Sequence, residues 1–75
     1  MRLSADKKRA LSMLAGYPTG CTEAIMLAHG FTVAMLAELL RDGLVIAETE
    51  SVRAGHQPMR VTRVKITDAG RRALA

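Results

Sequence analysis

Aromatic side chains are almost missing from this chain of 75 residues: Tyr17 and Phe31 are the only two, and tryptophan is absent. The core of so short a chain is small in any case, and here it must be aliphatic, built from Leu, Ile, Val, Met and Ala. Cysteine is nearly missing too. Cys21 stands alone, so no internal disulfide forms and no cysteine cluster exists to hold zinc. His29 and His56 do not complete a recognised metal spacing. No metal or other cofactor is expected, and a reducing cytoplasm is the expected location.

Long apolar runs are also lacking. The opening residues are interrupted by Asp6, Lys7, Lys8 and Arg9, so no signal peptide is expected there. No stretch is long enough to span a bilayer, so a membrane partner is not expected. Gly16, Gly20 and Gly30 punctuate helices and do not form a phosphate-binding loop. A Cys21–His29 nucleophile and base pair would have no third orienting group and no oxyanion motif, so an enzyme is not expected.

What the chain has is basic charge, unevenly placed. Its formal net charge is +4. Residues 1–19 carry Arg2, Lys7, Lys8 and Arg9 against Asp6, a net +3. Residues 20–52 carry Arg41 against Glu23, Glu38, Asp42, Glu48 and Glu50, a net −4. Residues 53–75 carry Arg53, Arg60, Arg63, Lys65, Arg71 and Arg72 against Asp68, a net +5. Basic ends around an acidic middle point either to a polyanion partner for the ends or to neutralisation between segments within the fold.

The periodicity predicts one domain over residues 1–75, beginning with three helices. Residues 4–15 open at Ser4 as N-cap, with Asp6 near the positive end of the dipole, and bury Leu3, Ala10, Leu11 and Leu14. Lys7, Lys8 and Arg9 are expected to face water. Residues 22–29 follow, capped by Thr22, with Ile25, Met26 and Ala28 expected inside and His29-Gly30 as the stop. Residues 33–42 are capped by Thr32. Thr32, Val33, Leu36, Leu39 and Leu40 fall on one face at 100° per residue, with Ala34, Glu38 and Arg41 opposite.

After Gly43 the period changes from helical to alternating. "LVIAETESV" and "MRVTRVKIT" read as two strands joined by "RAGHQP", a loop of roughly six residues. The predicted register sets Ala47 against Ile66 and Thr49 against Val64 on one face, and Glu48 against Lys65 and Glu50 against Arg63 on the other. Apolar and opposite-charge pairs then sort correctly. Thr67 and Asp68 open a last short helix.

This order resembles the winged helix-turn-helix domain, in particular that of MarR-like bacterial transcription regulators. "LAELLRDGLVIAE" looks like the end of a recognition helix entering the first wing strand. "VTRVKITDAGRRAL" looks like the second wing strand and the start of the next helix. The resemblance spans roughly residues 5–74. It implies an α+β, mainly α, fold: a winged helix with a three-helix core, a two-stranded β-hairpin wing and a short C-terminal helix. Two departures stand out. MarR-like proteins dimerise through helices flanking the winged domain, and that interface is not expected here. The third helix also lacks the Arg, Lys, Asn or Gln side chains that usually read base edges.

The resemblance implies a small DNA-binding protein, a transcription regulator, that contacts the phosphates of double-stranded DNA. The residues expected to carry this are Lys7, Lys8, Arg9, Arg41, Arg53, His56, Arg60, Arg71 and Arg72. The alternative is a protein–protein interaction module in which Ala34, Met35 and Ala37 offer an apolar patch. A homodimer is compatible with either reading.

Overall fold

The computed structural model describes residues 3–75, so Arg2 of the N-terminal basic group lies outside the described residues. The elements run α1 (Ala5–Ala15), β1 (Cys21–Thr22), α2 (Glu23–Ala28), α3 (Val33–Arg41), β2 (Val45–Ala54), β3 (Gln57–Ile66) and α4 (Asp68–Leu74). It is a small α+β structure. Helix starts are fixed by four hydroxyl caps. Ser4, Thr22, Thr32 and Thr67 accept from the backbone N–H groups of Lys7, Ile25, Met35 and Gly70 at 3.0–3.2 Å. Each satisfies a donor that the first helical turn leaves open. Thr67 does more: its hydroxyl donates to the Gly43 carbonyl at 2.7 Å and ties α4 to the end of α3.

The sheet is antiparallel with strand order β1-β3-β2. Its third strand, β1, is absent from the sequence reading. It pairs only Cys21 with Val64 and Thr22 with Arg63, too short a stretch to leave an alternating pattern. The hairpin register also differs from expectation by two residues. Ala47 faces Val64, Glu48 faces Arg63 and Glu50 faces Val61. The cause lies in the turn, where two residues, Gly55 and His56, replace the expected six. Gly55 takes φ +66° and no non-glycine residue among the described ones has positive φ, the pattern of a type II′ hairpin turn. Arg53 faces Pro58. This pair lies next to the hydrogen-bonded closing pair, so the missing proline N–H removes no bond to β2.

A shift of two residues leaves every side chain on its expected face. Glu48 and Glu50 still find the partners expected of them, but diagonally. Lys65 Nζ lies 3.3 Å from a Glu48 carboxylate oxygen and Arg63 Nε 3.1 Å from one of Glu50. Arg63 Nη1 also donates to the Gly20 carbonyl at 3.5 Å. Reversing Glu50 and Arg63 together is therefore expected to recover most of the loss from either single reversal, with a coupling of about 0.2–1 kcal/mol. Denaturant titration of the four-member cycle checks this, and simple additivity would contradict it.

The core gathers Ala10, Leu11 and Leu14 of α1, Met26 of α2, Leu36 and Leu39 of α3, and Cys21, Val45 and Val64 of the sheet, with Phe31 and Leu44 beside them. Four expected core residues are instead exposed. Val33 is 57% and Leu40 47% accessible, and Ile25 and Ala28 are also at the surface. The buried arc of α3 is centred between Leu36 and Leu39, with Met35 half-buried on one side. Val33 and Leu40 fall on the opposite flank at 100° per residue. Thr32 is exposed as well, occupied as a cap. The six residues of α2 bury only Met26.

Candidate nucleic-acid interface

The hairpin separates its charges by face. Alternation puts Ile46, Glu48 and Glu50 with Arg63 and Lys65 on one face, and Val45, Ala47, Thr49, Ser51 and Arg53 with Arg60, Thr62 and Val64 on the other. Val45 and Val64 belong to the core, so the second face is the one on which the helices pack. Both hairpin acids lie on the first face, and both are joined there to cations. Toward the turn, the second face carries Arg53 and Arg60. They stand opposite Pro58 and Ser51 and are diagonal neighbours, a spacing of roughly 7–8 Å in an ordinary sheet. Both are exposed, and neither has an ion pair among the described residues. Two like charges placed diagonally, with no carboxylate on their face of the hairpin, repel each other unless an anion joins them. Exposed His56 in the turn lies close by.

The other expected contact residues do not join this pair. Lys7 is half-buried, not fully exposed as expected, because it turns toward α3. Its Nζ lies 3.8 Å from Glu38 Oε1. That contact also moves Glu38 off the fully outward position expected for it. Arg9 pairs with Asp6 at 3.5 Å and stands 5.0 Å from the centroid of the Phe31 ring, where a guanidinium gains from the ring quadrupole. Lys8 is exposed on α1 and Arg41 is exposed at the C-terminal end of α3. Arg71 and Arg72 are exposed on α4. β3 runs six residues from Arg60 to its end at Ile66, about 20 Å of extended chain. The α4 arginines are thus at the opposite end of the strand from the Arg53–Arg60 pair.

The outer side of α3 offers little to a base edge. Ala34 and Ala37 are exposed with Val33 and Leu40, and Arg41 is the only strong donor among them. Met35, expected to share an apolar patch with Ala34 and Ala37, is half-buried against the core. A different apolar feature, missed by sequence reasoning, replaces that patch. Val33, Leu36, Ala37 and Leu40 form one wall of an open groove whose other wall is Val45, Ala47, Thr62 and Val64, with Glu23 also lining it. Helical spacing assigns Leu40 and Val33 to the interior, and only the rotation of α3 about its axis brings them to a surface.

Cys21 and His29 are placed differently. Cys21 is buried in β1, while His29 is exposed at the end of α2. Burial pushes the Cys21 thiol up from its ordinary value, opposed in part by the Arg63 guanidinium. A thiol held protonated is a poor nucleophile. No group of His, Cys, Asp and Glu suited to a metal ion occurs among the described residues, and no helix among them is long and apolar enough to cross a membrane. No family model matches the chain, and neither a curated protein nor a solved structure matches it.

Proposed function

We propose that this chain is a winged-helix protein that binds double-stranded DNA through phosphate contacts, with β2 and β3 as the wing and α3 contributing little base reading. A role in transcription regulation is part of this reading. The single observation that carries it is the charge separation within the hairpin. Glu48 and Glu50 are taken up by Lys65 and Arg63 on one face, which leaves Arg53 and Arg60 adjacent on the other, with no ion pair among the described residues. A phosphate backbone supplies closely spaced anionic oxygens that such a pair can share, and it demands only charge and reach from the protein. The order of three helices, hairpin and final helix also supports the reading. The weak donor set on α3 supports the second half of the proposal.

Replacing Arg53 and Arg60 together with Ala is expected to weaken binding to every duplex alike. It should also flatten the dependence of log affinity on log salt by up to about 2, one for each lost phosphate contact. Fluorescence anisotropy on unrelated duplexes at several salt concentrations checks this. Binding to one defined sequence that ignores both substitutions would overturn the proposal. The apolar groove beside α3 favours a second reading, contact with a protein, and the absence of any DNA binding even at low salt would leave that reading alone.

A further inference from the structure

The groove between α3 and the sheet has an apolar wall with Glu23 on its lining, and Arg41 stands just outside it at the end of α3. Val33, Ala37 and Leu40 recur at helical spacing along the exposed flank of α3, and the middle residue is small. Side chains at i, i+4 and i+7 form a continuous stripe, and a small residue at its centre lets a second helix approach closely. The chain leaves the C-terminal end of α3 through Gly43 into β2, so Val45 lines the Leu40 end of the groove. The register then sets Thr62 opposite Thr49, further along β2, so Thr62 and Glu23 line the Val33 end. Arg41 stands at the other end, next to Leu40. Neither Glu23 nor Arg41 has an ion pair among the described residues.

This arrangement is self-complementary under a two-fold rotation. An acid lies at one end of the stripe, a base at the other, and a small residue between them. We propose that the occupant of the groove is a second copy of this chain, with the two α3 helices antiparallel across an axis near Ala37. Leu40 of each copy then packs against Val33 of the other, and Arg41 of each reaches Glu23 of the other. Parallel packing would set like charges against each other at both ends, so the charges fix the orientation as well as the partner. The interface uses the outward side of α3, which is then withheld from the major groove. Arg53 and Arg60 are not part of it, so the Leu40→Glu variant separates dimer formation from phosphate binding by the hairpin.

Sedimentation equilibrium of the full chain, without DNA, over roughly 10 μM to 1 mM tests this, a range suited to a small interface. The wild type is expected to be a monomer–dimer equilibrium. Leu40→Glu, a substitution at an exposed position, is expected to keep the wild-type circular dichroism spectrum and to be monomeric throughout. Glu23→Arg and Arg41→Glu should each weaken association about tenfold, and the two together should restore it to within about threefold of the wild type. A wild type monomeric over the whole range would overturn the proposal. So would a dimer indifferent to Leu40→Glu, or a double reversal no tighter than the single ones.

Discussion

Leu39→Ala is expected to destabilise the protein by about 2–5 kcal/mol, the range for emptying a fully buried leucine site. Leu39 has no accessible surface and lies among the buried side chains of α1, α2 and the sheet. Phe31 is the one ring among the described core residues, so few large side chains are at hand to fill the space. Removal of the three side-chain carbons forfeits both their transfer from water and their packing contacts. A domain of this size has little stability in reserve. A fraction of molecules unfolded at room temperature is therefore part of the expected result. Leu40→Ala, one residue on, is the control: its side chain is on the surface, and a change within about 0.5 kcal/mol is expected. Guanidinium titration of the two variants checks the orientation of α3 directly. Equal losses would contradict it.

Gly70→Ala is expected to destabilise too, against the helix preference. Gly70 lies within α4, where alanine would ordinarily be favoured over glycine by about 1 kcal/mol. Here the added Cβ would run into the Leu44 carbonyl oxygen and the Ile66 side chain. The carbonyl is backbone, and it already accepts from the Thr67 N–H at 3.1 Å, so it has little freedom to retreat. α4 would have to lift from the end of β3, straining the bond from Thr67 to Gly43. The overpacking cost of about 1–3 kcal/mol exceeds the propensity gain. Thermal unfolding that shows Gly70→Ala more stable than the wild type would contradict this close approach of α4 to Leu44.

Much of this fold is written locally. The four caps, the glycine after α3 and the change of period at residue 44 are short-range signals, and each element predicted from them exists. The expected outer-face partners of Glu48 and Glu50 were also legible, because a two-residue register error preserves both the face and diagonal reach. The loop was misread at Pro58. A proline within a run of residues argues against a strand unless its N–H position lies outside the ladder, and that depends on the turn type. Gly55 fixes the turn, but its influence on the register appears only once both strands are laid side by side. β1 was invisible for a similar reason, since two residues carry no period.

The candidate interface was partly legible. Arg53 and Arg60 are among the phosphate contacts that the sequence leads one to expect. Their placement as diagonal neighbours, and on the face shared with the helices, came from the two-residue turn. Lys7 was misjudged because its partner, Glu38, is distant in sequence. The groove along α3 went unseen because a helical stripe of Val, Leu and Ala reads as core by pattern alone. Which part of the stripe is buried is decided by how far the helix rotates against the sheet.

The central claim is that α3 serves packing while the hairpin arginines meet phosphate. Titration of the wild-type protein with several unrelated duplexes across a salt series tests it most directly. Affinities are expected to agree among sequences within about tenfold and to fall together as salt rises, with parallel slopes set by a few released counterions. One sequence bound about a thousandfold more tightly than the rest, the discrimination typical of specific readers, would contradict the claim and return α3 to the major groove.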